Sequence, residues 1–344
     1  MAKGATRDHL IVPIFIPNEG CPYQCIYCHQ EKITSQSSTR IKASVINEQI
    51  EKAIHSKKFK FNKNNEIAFY GGTFTKLPEA REIELLQTVQ PYIQMGFFRS
   101  IRVSTRPDAI DDNQIKLLRN NHVDTVELGV QSLDDGVLSL AQRGYQSSHV
   151  RESVKNLKLN GFKVGIQLMP GLPGDSQPIF LQGIDEVIKL KPDMVRLYPT
   201  LVIKDTKLEK LYWDNFFHPL TLAEAVEICA EACIKLEEAG IPVIRLGLMT
   251  TKTLINQIVA GPWHEAFGFL VRSKIYHGKI ASQLPGEKEF SSMILKVYPS
   301  DFSLIKGHRN DGLLSIEKKT GARVVKIMQD SSLAEGEIIV EGKN

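Results

Sequence analysis

Three cysteines, Cys21, Cys25 and Cys28, fall within eight positions in the stretch CPYQCIYCHQ, directly after the apolar run IVPIFIP. A disulfide uses two thiols and a closed structural zinc site uses four ligands, so three thiols on one loop call for a different centre. The spacing C-x3-C-x2-C lets several thiolates converge on a compact soft-metal group. An iron–sulfur cubane takes a cysteine on each iron. With three cysteines, one iron stays open to an outside ligand, by the logic that separates a catalytic zinc from a structural one. His29 is the alternative fourth ligand of a Cys3His zinc site, but it directly follows Cys28, and adjacent side chains converge poorly on one tetrahedral ion. Three unpaired thiols left exposed would be a chemical liability. Tyr27, just before the third cysteine, is placed to shield such a centre or to pack on a bound cofactor.

The elements that must position this loop show as an alternation. Short β-branched runs predict strands at 11–17, 66–71, 100–105, 125–131, 163–170 and 194–199. Helical periodicity predicts helices near 44–56, 77–93, 111–121, 147–160 and 177–191. Gly, Pro, Ser or Thr close the strands, and Asp, Ser or Pro open several helices. Six consecutive βα units imply a parallel sheet with right-handed crossovers. They curl further than an open sheet yet fall short of a closed eight-unit barrel. The expected fold class is therefore α/β, an incomplete (βα)6 parallel barrel, with a doubly wound sheet as the alternative. In either, reactive groups belong at the C-terminal ends of the strands. There lie Cys21, GGTFT (71–75), STRPD (104–108), Gln131 and MPGLPG (169–174).

Beyond the sixth strand, residues 200–221 read as irregular and aromatic, followed by a helix at 222–239 and a further strand, VIRLGL, at 243–248. From about 290 the pattern becomes a strand MILKVYP, a loop IKGHRNDG, a helix LLSIEKKTGA and two strands. The expected division is a core at 1–285, with a partial barrel at 11–200 and an extension at 201–285, and a small αβ segment at 286–344. The 42% hydrophobic and 24% charged residues in 344 argue against disorder, and a net charge of +4 permits a polyanionic partner without requiring one. Five cysteines, mostly in one segment, do not form a disulfide framework and fit cytosolic metal or redox chemistry. The N-terminus is a poor signal peptide and no apolar run approaches the ~18 residues of a membrane span, so a cytoplasmic protein with no membrane partner is expected. Cys229 and Cys233, four apart on one helix face, are too few for a metal and read as core. HSKKFKFNKNN (55–65) interleaves lysines with phenylalanines and is expected near the active end of the barrel, as a phosphate-tracking surface or a solvated helix end. Trp263 and His264 read as structural.

CPYQCIYC resembles the cluster loop of the radical S-adenosylmethionine (SAM) superfamily, with its aromatic before the third cysteine. FYGGTFT is similar to that superfamily's glycine-rich motif, and STRPD, VELGVQSLDDGVLSLAQRGY, LMPGLPG and LYPTLVIKDTKLEKLY follow in order over roughly 11–275. The series resembles the catalytic subunit of Elongator and its bacterial relatives, and less closely oxygen-independent coproporphyrinogen oxidase. The resemblance implies a 4Fe-4S cluster on Cys21, Cys25 and Cys28, with SAM chelating the open iron. It implies one-electron cleavage of SAM to a 5′-deoxyadenosyl radical, fed by a donor such as a flavodoxin or ferredoxin. The protein supplies placement and exclusion of water. Cofactor contacts are implied at Tyr27, Gly71, Gly72, Thr73, Ser104, Arg106, Gln131, Arg143, Gln167, Met169 and Pro170. Among these, Gly71 and Gly72 offer carbonyls to the SAM amino group, Arg143 pairs with its carboxylate, and Met169 and Pro170 form a shelf for adenine. Thr73 stands where the superfamily often has glutamate, and Gln167 where coproporphyrinogen oxidase-like sequences carry an acid.

Elongator relatives modify wobble uridines of transfer RNA and carry an acetyltransferase domain, which has no counterpart in the short stretch after 290. Acetyl-CoA chemistry is therefore not carried over. That stretch resembles a KH-type RNA-binding module, although its loop reads GHRN, with the second glycine of G-x-x-G displaced. The leading expectation is a radical SAM transferase acting on RNA, with tRNA as partner. A radical SAM enzyme for a small metabolite or cofactor precursor is the second, and a non-enzymatic iron–sulfur or RNA-binding protein the third.

Overall fold

The computed structural model describes residues 10–35, 40–57, 59–61, 64–248 and 252–343. They form two compact units, one of 1–225 with 235–263 and the other of 226–234 with 264–344. In the first unit the strands are β1 (Ile11–Ile16), β2 (Glu66–Gly71), β3 (Ser100–Thr105), β4 (Val123–Gln131), β5 (Lys163–Leu168), β6 (Met194–Leu197), β7 (Val202–Ile203), β8 (Val243–Leu246) and β9 (Ile258–Ala260). β1 to β6 and then β8 lie side by side, every neighbouring pair parallel, while β7 and β9 make a small antiparallel pair. The main helices connecting the strands fall at Ala43–Ile54, Glu79–Gln94, Asp112–Asn120, Ser147–Leu159, Gln177–Leu190 and Leu222–Glu238, within a few residues of the expected positions. Asp111, Ser176 and Thr221 cap three of them through their side chains.

Alternation along the strands sorts two faces. Ile14, Ile67, Phe69, Ile101, Val103, Val126, Leu128, Val164 and Val195 are fully buried on one, the face that the apolar stripes of the helices cover. Glu66, Tyr70, Arg102, Thr125, Glu127, Gln167 and Arg196 share the other. Arg196 of β6 donates to the Tyr70 hydroxyl of β2 at 2.9 Å. In a flat sheet those strands would stand roughly 19 Å apart, four spacings of about 4.8 Å. The bond therefore requires a sheet curled around this polar face, which makes a half-barrel with a charged interior.

The strand at 243–248, expected outside the barrel, joins its sheet as a seventh parallel strand beside β6, with the helix Leu222–Glu238 as its crossover. Residues 200–221 are more regular than expected and contain β7 and a helix at Lys207–Trp213, capped by Thr206. The basic stretch 55–65 lies at the opposite end from that expected. It runs into the start of β2, and Asn65 binds the Lys60 carbonyl within the stretch and the Leu10 and Arg99 amides, which directly precede β1 and β3. Those bonds hold the segment at the end where the parallel strands begin, opposite the strand tips. Lys58, Asn62 and Lys63 of that stretch lie outside the described residues.

In the second unit, β10 (Ser292–Val297) lies between β11 (Arg323–Gln329), parallel to it, and β12 (Ile338–Lys343), antiparallel. Tyr276 and Ile280 of the helix Phe267–Ile280 join Met293, Leu295, Val297, Ile305 and Ile316 in its core. The stretch expected as a loop, IKGHRNDG, starts inside the helix Phe302–Lys306 and turns at Gly307, with Arg309 and Asn310 left-handed. A second helix, Asp311–Thr320, then ends on a left-handed Gly321. Cys229 and Cys233 are fully buried on their helix. No described helix is long and apolar enough to cross a membrane.

Candidate active site

The loop after β1 is held from both sides. The Thr73 amide donates to the Glu19 carbonyl at 2.9 Å, tying the loop to the glycine motif after β2. The Gln30 side chain accepts from the Asn18 amide and donates to the Gly71 carbonyl, so it clasps the same two segments. On the other side Ile26 accepts from the Leu208 amide at 2.8 Å, and Cys25, Ile26 and Tyr27 pack with Val137, Ala141, Leu172, Val202, Leu208 and Phe217. Gly72 has no room for a side chain, because a Cβ there would overlap the Glu19 and Ile16 carbonyls. Gly71, at φ 107°, requires glycine for its backbone alone.

The three thiols share this pocket. Cys21 Sγ lies 3.4 Å from Thr73 Oγ1, Cys25 is buried, and Cys28 and Met169 pack on the apolar cluster around Tyr27. Burial pushes the Cys28 thiol up to about 12, with Cys25 and Cys21 adding to the rise. Among the described residues no three Cys, His, Asp or Glu side chains close on a single ion. Ligands to three corners of a cubane stand further apart than ligands to one ion, and this loop carries three thiols with no fourth.

Arg143 is the decisive neighbour. Its guanidinium is 5% exposed and donates to Cys25 Sγ at 3.0 Å and the Tyr27 hydroxyl at 3.3 Å. It also donates to the Gly129 carbonyl and to the Tyr145 hydroxyl. No carboxylate pairs with it among the described residues, so a buried cation faces only neutral groups and a thiol. Such a charge demands an anion. Cysteine thiolates on a cluster and the carboxylate of SAM can each supply one, so the donor set fits a [4Fe–4S] cluster with SAM. Burial raises the Tyr27 and Tyr145 hydroxyls and keeps both as neutral phenols.

The other expected contacts fall into four situations. Gln131, buried and left-handed at φ 70°, receives the Gln167 side-chain amide at 3.2 Å, so the tips of β4 and β5 are joined. Ser104 shares the polar face of β3 with Arg102. The Pro170 carbonyl accepts from the Thr200 amide at 3.0 Å, and the Met169 amide donates to the Gln131 carbonyl at 2.9 Å. Arg106 is turned elsewhere: it holds Asp108 in a two-point ion pair, stacks on Tyr23 and Tyr145 and donates to the Arg143 carbonyl. It supports Arg143 from behind. Sequence reasoning missed Gln30 and Tyr145. Each stands within two residues of a residue it did single out, in CHQ and QRGY, and neither has a local signal of its own.

A match to the family model described as Radical SAM superfamily spans residues 15–180, and one to the Radical_SAM C-terminal domain spans 192–277. The chain belongs to the radical SAM superfamily. It is a radical SAM enzyme, and the superfamily's cofactors are a [4Fe–4S] cluster and SAM. It is 32% identical to a tRNA uridine(34) acetyltransferase of Methanocaldococcus infernus over 157 residues, 44% of this chain and 29% of that protein. It is 27% identical to the heme chaperone HemW of Lactococcus lactis over 188 residues, 54% of this chain and 48% of that protein. The archaeal Methanocaldococcus infernus Elp3 with an N-terminal deletion shares the fold, with a TM-score of 0.61 and 23% identity, covering 80% of this chain and 63% of that chain. The chain thus spans less than half the length of these two curated relatives.

Proposed function

We propose that this radical SAM enzyme modifies RNA, with transfer RNA as substrate and a small one-electron donor such as a flavodoxin or ferredoxin as partner. The likeness to a tRNA uridine(34) acetyltransferase, higher in identity than that to the heme chaperone, supports the RNA half of this reading. In this reading Cys21, Cys25 and Cys28 hold the cluster, and Arg143 compensates its negative charge from beneath Cys25. Gly72 lets the backbone approach the methionine end of SAM, while the joined Gln131 and Gln167 amides orient it from the neighbouring strand tips. Tyr27, Met169 and Leu172 exclude water beside the loop. When bound, the cluster supplies the electron that cleaves SAM, and the product takes hydrogen from the substrate. The turn Gly307–Asn310, with His308 and Arg309, is the KH-like contact to an RNA backbone. A tRNA substrate places the enzyme in the cytoplasm.

Anaerobically reconstituted enzyme, reductant and SAM, with and without unfractionated tRNA, provide the test. Formation of 5′-deoxyadenosine that rises with tRNA, and tRNA binding that weakens with salt, are expected. Absence of tRNA binding at low salt, with binding of heme instead, would favour the cofactor-directed reading that the heme chaperone represents.

A further inference from the structure

Arg196 of β6 and Arg245 of β8 are Cα partners in register, so both side chains lie on the polar inner face. Arg196 is committed. It donates to Glu127 at 2.8 Å, to the Tyr70 hydroxyl at 2.9 Å and to the Tyr198 hydroxyl at 3.1 Å. Glu127 also binds Arg102, which pairs in turn with Glu66. Gly165 of β5 makes this possible, since a Cβ there would lie 3.0 Å from the Glu127 side chain that passes over it. Two carboxylates thus neutralise two guanidiniums, and the strand positions of this face carry no further acid.

Arg245 is the guanidinium left over. Its Nε donates to the Gly247 carbonyl at 3.3 Å, and no acid pairs with it among the described residues. It is half-buried beside another cation on the neighbouring strand, an arrangement that repels. β8 is also the last strand of the open sheet, so Arg245 stands at the seam where the half-barrel opens. An unpaired planar fork of donors at that position matches a phosphate.

We propose that Arg245 anchors a phosphate of the substrate at the open seam of the half-barrel. The shared chemistry is a phosphate ester, from a nucleic-acid backbone or a small nucleotide. The choice of a backbone rests on the RNA reading above. Reconstituted wild type, Arg245→Gln and Arg245→Lys are titrated with unfractionated tRNA and, separately, with uridine monophosphate, between about 50 and 200 mM salt. Arg245→Gln is expected to weaken tRNA binding roughly tenfold and to lower the slope of log affinity against log salt by about one. Arg245→Lys keeps the slope, and both variants keep wild-type iron content and melting temperature. Binding of uridine monophosphate alone, lost in Arg245→Gln, supports the anchor and removes the RNA reading. Wild-type affinity and slope in Arg245→Gln, or a wild type that binds neither probe, overturns the proposal.

Discussion

Arg143 concentrates the electrostatics of the candidate site, because its charge is buried against a thiol, two phenols and a carbonyl. Arg143→Ala is expected to fold and yet to retain less than half of the wild-type iron after reconstitution. Arg143→Lys, which keeps the charge but not the fork, falls between them. Iron content per chain and cluster absorbance measure this, and wild-type iron in Arg143→Ala would show that Cys25 needs no compensating cation. Gln131 carries the other residue-scale signature, a non-glycine residue at φ 70°. Relief of that strain in Gln131→Gly is expected to stabilise the fold by about 1 kcal/mol, partly offset by glycine's larger entropy loss. The same change removes the amide that meets Gln167, so SAM affinity falls while the melting temperature holds or rises. A melt and a SAM titration on one preparation separate the two effects.

Among the elements, the strands carry the structural burden and the polar face carries the risk. Glu127 joins Arg102 of β3 to Arg196 of β6, with side chains 5% to 17% exposed. Glu127→Ala leaves two buried guanidiniums short of a partner and is expected to cost about 3–5 kcal/mol in urea unfolding. The helix Glu79–Gln94 carries a quieter conflict. Glu82 is fully buried with one carboxylate oxygen unpaired, and burial raises its carboxyl to about 7 against an ordinary 4.5. The folded state therefore holds its proton more tightly than the unfolded chain. Stability from this group is present below about pH 4.5 and is lost as pH rises through about 7. Glu82→Gln is expected to raise the melting temperature at pH 8 and to change it little at pH 4, and equal shifts at both would sink this account. The strands were legible because one buried face gives a period of two, and the capped helices because an apolar stripe gives a period near 3.6. The helices Asp135–Leu140 and Lys207–Trp213 are too short for that period to register. The link from Tyr70 to Arg196 joins residues 126 apart and leaves no local trace. The end of the barrel at which 55–65 emerges follows from chain direction alone, once the segment is seen to enter β2.

At the scale of the molecule, the cysteine spacing points to a cluster with one open iron, and the family resemblance of that loop and of the strand-tip motifs makes the radical SAM half of the chemistry readable in the sequence. The substrate half was not, because it depends on which charges remain after the inner face has paired. Arg245 is one such remainder, and a sequence counts arginines without showing which are already neutralised. In the function proposed for this chain, the three-thiol loop and Arg143 hold a cluster for SAM cleavage. That function is tested most directly by anaerobic reconstitution with iron and sulfide, followed by reductant and SAM, on wild type and on Cys21→Ala, Cys25→Ala and Cys28→Ala. Cluster absorbance and 5′-deoxyadenosine are expected from the wild type and neither from any of the three variants. Absence of 5′-deoxyadenosine from a wild type with a full cluster, or its formation by any cysteine variant, would contradict it.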